Sequence, residues 1–189
     1  MKIAVVYHSG YGNTKKVAEA VAAGARSVEG TEVQVILASE ITEGSSHWDY
    51  LDAADAHIYG SPTYMGTISA GLKAFFETPG FIGRWVQGSW ANKIAGGFTN
   101  SASPSGDKFN TLVDVLTISM QMGMVWVGQA LPPAGKHGGN VEDVNRLGSW
   151  IGPMTQSPQG DHDGPLAGDL AGATIYGKRI AESAQRWNK

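Results

Sequence analysis

The sequence predicts a doubly wound α/β fold: a five-stranded parallel sheet with helices on both faces. Short apolar runs rich in β-branched residues alternate with amphipathic helical patterns along the chain, which is the signature of a mostly parallel sheet covered on both sides. A glycine-containing loop joins the first strand to the first helix, where such sheets bind ligands. No repeat and no composition shift divides the 189 residues, so 1–189 reads as a single domain.

The elements follow in order. Residues 2–7, Lys-Ile-Ala-Val-Val-Tyr, are short, apolar and β-branched, as a buried strand is. A helix is expected from Asn13 or Thr14, because Val17, Val21, Ala25 and Val28 recur at spacings of four, four and three, with Gly30 as its stop. Thr31 to Leu37 alternates as a second strand. Ala56 to Tyr59 is the third, ending at Gly60. Ile68 to Glu77 carries Leu72, Phe75 and Phe76 at helical spacing, and Pro79-Gly80 stops it. Lys93 to Thr99 is the fourth strand, followed by a helix over about Asp107–Met122. A short fifth strand spans Met124–Val127, and the last helix runs from about Asp169 to Trp187. Between Pro132 and Pro165 lie five of the eight prolines and seven glycines without periodicity, so a long functional loop is expected there, as an active-site wall or a subunit contact.

Composition narrows the chemistry. The chain is 42% hydrophobic and 16% charged, with a formal net charge of −3 and no run of Lys or Arg longer than two. Nothing in this points to nucleic-acid binding. With no cysteine, disulfides, thiolate metal sites, iron–sulfur clusters and catalytic thiols are all excluded, so any redox chemistry belongs to a bound organic cofactor. No apolar run reaches the ~20 residues that span a membrane, and the first residues lack the pattern of a signal peptide. A cytoplasmic protein is expected, with no membrane partner and no metal.

The segment Ser9-Gly10-Tyr11-Gly12-Asn13-Thr14 is the strongest local signal. A helix N-terminus offers free N–H groups and the positive end of a dipole, and glycines let the backbone close around an anion. The hydroxyls of Ser9 and Thr14 and the amide of Asn13 add side-chain donors. The Walker pattern fails for want of a Lys before Thr14. The dinucleotide pattern fails because position 15 is Lys, not Gly. What remains is a phosphate monoester held without metal or buried lysine, as in proteins of flavin mononucleotide (FMN).

Two further loops follow the third and fourth strands. Gly60-Ser61-Pro62-Thr63-Tyr64-Met65-Gly66 offers a stiff turn with flat or polarisable side chains for an aromatic ring. Thr99-Asn100-Ser101-Ala102-Ser103-Pro104-Ser105-Gly106 is small and hydroxyl-rich, suited to bonding the polar edge of such a ring.

On these three motifs the chain resembles the flavodoxin superfamily, and most closely its WrbA-type branch of NAD(P)H:quinone oxidoreductases, from Met1 almost to the C-terminus. The resemblance implies a flavodoxin-like fold, with FMN held by Ser9, Gly10, Tyr11, Gly12, Asn13, Thr14, Pro62, Thr63, Tyr64, Met65, Gly66, Thr99, Asn100, Ser101, Ala102, Ser105 and Gly106. It implies NAD(P)H as co-substrate, a small quinone-like acceptor, and a homodimer or homotetramer. No side chain is expected to act as catalytic acid, base or nucleophile. The alternative within the superfamily is a flavodoxin-type FMN electron carrier. The sequence departs from the branch at three places: Tyr64 and Met65 stand where it has Arg and Phe, and Met122 where it has a His. By position Trp85 matches the branch's Trp that closes over a neighbouring subunit's flavin, and Trp150 an aromatic residue at the active-site mouth, so Trp85, Met122 and Trp150 are the expected substrate-pocket residues. His137, in the long loop, is given no role.

Overall fold

The computed structural model describes residues 1–133, 140–159 and 164–189; His137 lies outside them. Along the chain run β1 (Lys2–Tyr7), α1 (Asn13–Arg26), β2 (Glu32–Leu37), α2 (His47–Ala53), β3 (Ala56–Tyr64), β4 (Thr67–Ile68), α3 (Ala70–Phe76), α4 (Pro79–Gln87), β5 (Ile94–Ser101), α5 (Lys108–Gln121), β6 (Val125–Trp126), β7 (Met154–Gln156) and α6 (Ala167–Trp187). The parallel core has the order β2-β1-β3-β5-β6, five strands, as the sequence predicts. β1 pairs Tyr7 with Leu37 of β2 on one side and with Gly60 of β3 on the other, so the winding reverses at β1. In such sheets the crevice for a ligand opens beyond the C-terminal ends of the strands at that reversal.

Alternation along β1 sorts its side chains between two cores. Ile3, Val5 and Tyr7 join Val17, Val21, Tyr176 and Ile180 beneath α1 and α6. Ala4 and Val6 join Leu51, Leu72, Phe75, Phe81 and Val115 beneath α2 to α5 on the other face. A strand buried on both faces reads as a continuous apolar run, which is why residues 2–7 stand out in the sequence.

The structure corrects the sequence reading in four places. Pro79-Gly80 ends α3 but also begins α4: Thr78 caps it by accepting from Phe81 N at 3.3 Å, and Pro79 occupies the first helical position, where its missing N–H costs nothing. α2 was not expected; it is seven residues long and buries Trp48, Tyr50 and Leu51, too short for periodicity to show. β3 does not end at Gly60 but continues through Ser61-Pro62-Thr63-Tyr64, because β5 extends equally far and pairs Ser61 with Thr99 and Pro62 with Asn100. The Pro/Gly-rich stretch is not without structure: β7 pairs Thr99, Asn100 and Ser101 with Met154, Thr155 and Gln156, so β6 and β7 border different halves of β5.

Candidate functional site

At the end of β1 the chain turns through Ser9–Gly12 into α1, and Gly12 (φ 87°) supplies the left-handed conformation that starts the helix. Ser9 Oγ accepts from the N–H of Gly12 at 3.0 Å and of Lys15 at 3.3 Å, drawing the loop into a ring. The N–H groups of Asn13 and Thr14 form no hydrogen bond among the described residues. The first turn of α1 holds no acidic residue and no side-chain cap. The positive end of a 14-residue helix is therefore left for an external anion. Gly10 makes room for Tyr64: a Cβ there would lie 2.5 Å from the Tyr64 hydroxyl.

The second wall is a hairpin. β3 and β4 pair Tyr64 with Thr67 around a two-residue turn of Met65 (φ 49°) and Gly66 (φ 81°). Positive φ at both centres is the tight geometry that suits the twist of paired strands, yet it costs a methionine about 1 kcal/mol. Helix α5 clamps the turn. Asn110 Nδ2 donates to Gly66 O at 2.8 Å, Ile68 N donates to Asp114 Oδ2 at 3.3 Å, and the Thr67 hydroxyl donates to the same carboxylate. Met65 is thereby held wholly exposed at the cleft, and Tyr11 meets Tyr64 edge-on with ring centroids 6.4 Å apart. Burial, the nearby Tyr11 and a bond from Gly10 N–H act on the Tyr64 hydroxyl, and the net effect raises its pKa above the ordinary tyrosine value.

The third wall follows β5. The buried hydroxyl of Thr63 bonds both Thr99 and Thr111 at 2.8 Å, tying β3, β5 and α5 together below the site. Asn100 Oδ1 accepts from Thr155 Oγ1 at 2.8 Å and Ser157 Oγ at 3.1 Å. Its Nδ2 has no partner among the described residues beside the cleft that Asn100 lines.

These walls enclose a cleft of about 810 Å³. Of the residues singled out from sequence, Ser9, Tyr11, Asn13, Thr14, Pro62, Thr63, Tyr64, Met65, Gly66, Asn100, Ser101, Ala102 and Gly106 line it. Gly10, Gly12 and Thr99 do not line it but shape or support those that do. Ser105 faces a neighbouring depression with Asp107, Asn110 and Arg146. Ser103, within the predicted third loop but outside the set of FMN-holding residues, also lines the cleft, and sequence reading missed Ser157, Pro158 and Gln159 altogether. Those three reach the cleft only because β7 joins the sheet, and a three-residue strand carries no periodic signal. Trp85 and Met122 lie elsewhere, in a separate groove of about 230 Å³ with Phe76, Phe81, Ile82 and Ile118. Trp150 is exposed and does not line the cleft either. None of the three expected substrate-pocket residues therefore borders the cleft of its own chain: Met122 ends α5 and Trp85 sits near the end of α4, both elements that run away from the loops around the cleft.

Among the described residues, none that lines the cleft is charged. A doubly charged phosphate placed there would meet backbone donors, hydroxyls and the helix dipole. The opposite end offers amide and hydroxyl groups beside the aromatic rings of Tyr11 and Tyr64, which fits a flat polar heteroaromatic ring. This donor set suits a flavin mononucleotide.

Comparison with known proteins agrees. The sequence model of the NADPH-dependent FMN reductase family matches residues 1–137. A protein of Pseudomonas aeruginosa named flavodoxin FldP is 38% identical, with 98% of this chain and 97% of that protein covered. A Geobacter sulfurreducens protein named NAD(P)H dehydrogenase (quinone) is 33% identical over the full length of both. Among solved structures, a flavodoxin, WrbA-like protein from Agrobacterium tumefaciens superposes with a TM-score of 0.73 at 37% identity, covering 98% of each chain. With its β2-β1-β3-β5-β6 order of parallel strands and this match over most of its length, the chain belongs to the NADPH-dependent FMN reductase family and has the flavodoxin-like fold.

Proposed function

We propose that the chain is a one-domain, FMN-dependent oxidoreductase that takes two electrons from NAD(P)H and passes them to a quinone or similar small acceptor. The observation that carries this reading is the cleft whose described lining holds no charged residue, whose phosphate end is a helix N-terminus with unengaged N–H groups and whose other walls are hydroxyl-rich. When bound, FMN supplies the redox chemistry, accepting a hydride from nicotinamide and returning two electrons to the acceptor. The residues of the chain bind and orient. Asn13 and Thr14 donate N–H groups to the phosphate, Ser9 holds the loop closed around it, and Tyr64 and Met65 border the ring. Asn100, Ala102 and Gly106 offer donors to the ring's polar edge, and Ser101, whose hydroxyl donates to Ser103 O, lines the wall beside them. The chemistry requires no side-chain nucleophile, in keeping with a chain without cysteine.

The apolar groove at Trp85 and Met122 supports the view that this face meets a second copy of the chain, in a homodimer or homotetramer, which would bring Trp85 to a neighbour's cleft. Among the described residues no helix is long and apolar enough to cross a membrane.

The Pseudomonas relative's name favours a second reading, a flavodoxin-type carrier without substrate turnover. Anaerobic titration of the FMN-loaded protein separates the two. Bleaching of the flavin absorbance by NADH or NADPH at catalytic rates, reversed by benzoquinone, is the expected result. Bleaching by dithionite alone would replace the oxidoreductase with the carrier.

A further inference from the structure

Lys108 is wholly buried although it opens α5 beside the cleft. Its ammonium donates to Ser103 O at 2.7 Å and Pro104 O at 3.0 Å. Gln156 Nε2 donates to Ala102 O at 2.9 Å, and Ser157 N donates to Ser101 O at 3.0 Å. Each carbonyl from 101 to 104 is thus engaged. Gln156 is itself held twice: Arg146 donates to its Oε1 at 2.7 Å, and its own N–H donates to Asp169 Oδ2 at 2.7 Å. Arg146 and Asp169 form a 3.1 Å ion pair with side chains only 11% and 1% exposed. Neither Lys108 nor Gln156, Arg146 or Asp169 lines the cleft.

Three charged groups are buried here, and burial of charge is a poor way to gain stability. Their common effect is on the loop. With its carbonyls engaged, the N–H groups of Ala102, Ser103, Ser105 and Gly106 make no hydrogen bond among the described residues, and Ala102, Ser103 and Gly106 line the cleft. Preorganised donors of this kind stabilise charge that develops during reaction without reorganising at that moment. Burial lowers the Lys108 pKa to about 8, opposed by Asp169 of α6 and reinforced by Arg146, so the ammonium keeps its charge at neutral pH.

We infer that Lys108, together with Gln156 held by the Arg146–Asp169 pair, is a positioning set that locks the carbonyls of residues 101–104 and leaves donors and a buried positive charge for the electron-rich, reduced ring of FMN. The inference rests on FMN occupying the cleft and adds a second tier of residues to that reading. It makes the set a determinant of reduction potential, not a catalytic group.

The test uses purified wild type, Lys108→Met and Gln156→Ala. FMN affinity is read by fluorescence quenching and midpoint potential by anaerobic spectroelectrochemistry. Lys108→Met should weaken binding of reduced FMN about tenfold more than that of oxidised FMN, a fall of about 30 mV for a two-electron couple. Gln156→Ala, whose side chain is partly exposed, should weaken FMN binding several-fold. A folded Lys108→Met protein with unchanged potential and affinity would overturn the inference. Should that variant not fold, unchanged FMN affinity in Gln156→Ala overturns it instead. Failure of the wild type to take up FMN removes the FMN reading itself, a different result from a wild type that binds and variants that match it.

Discussion

Ser9 shows how one side chain can shape the loop of the proposed anion site. By accepting from Gly12 and Lys15 it bends the loop, while the N–H groups of Asn13 and Thr14 make no hydrogen bond among the described residues. A hydrogen bond to a charged group is worth about 1.5–3 kcal/mol, so Ser9→Ala combined with Thr14→Ala should raise the FMN dissociation constant by one to two powers of ten. Flavin fluorescence quenching measures this, and an unchanged constant would remove the phosphate from this loop. That Ser9, Asn13 and Thr14 line a cleft was legible in the sequence because the loop is local: glycines, hydroxyls and a following helix lie within seven positions. Ser157, Pro158 and Gln159 were not legible, since nothing in their own neighbourhood says which strand they will pass.

Helices α1 and α6 meet on one face of the sheet, and their separation is set by two glycines. A Cβ on Gly24 would lie 1.8 Å from Thr174 O, and one on Gly177 equally close to Val21 O. Glycine inside a helix costs about 1 kcal/mol relative to alanine, so both positions give up local helix stability for backbone-to-backbone approach. Overpacking of this kind costs 1–3 kcal/mol and occasionally more. Gly24→Ala should destabilise the protein by about 3 kcal/mol. Gly83→Ala on α4, where a Cβ meets nothing within 4 Å, should instead stabilise it by roughly 0.5–1 kcal/mol through helix propensity. Urea unfolding of the two variants gives opposite shifts in midpoint if the packing argument holds. From sequence both residues read merely as glycines within a helical pattern, because the atoms that exclude a side chain belong to the other helix.

The whole molecule carries a pH dependence that begins in its core. His57 on β3 is fully buried, its Nε2 2.9 Å from Leu51 O and its Nδ1 2.9 Å from the Tyr59 hydroxyl. A carbonyl only accepts, so Nε2 bears the proton and Nδ1 accepts from Tyr59 in the neutral ring. Burial pushes the pKa down to about 3, from 6.5 in the unfolded chain. Between those values the unfolded state binds a proton that the folded state refuses. The contribution of His57 is therefore complete above about pH 6.5 and is lost on acidification, at up to about 1.4 kcal/mol per pH unit. Urea unfolding between pH 7 and pH 4.5 should show this slope in the wild type. In His57→Leu, less stable at pH 7, the slope should be reduced. Equal slopes would mean that other groups govern the acid limb.

The sequence by itself determined the winding of this protein. Strand-length apolar runs, helical spacing and the loop from Ser9 to Thr14 are written in neighbouring residues, so the parallel sheet and the three loop segments that line the cleft could be read in advance. Only the tertiary structure decided how far β3 and β5 extend, that β7 leaves the Pro/Gly-rich stretch to border β5, and that Trp85 and Met122 stand away from the cleft of their own chain. Local propensity chooses helix or strand from the chain's nearest few residues. A strand's last pairs, a buried lysine's acceptors and the wall of a cleft are chosen by partners distant in sequence, and those become neighbours only when the sheet is wound.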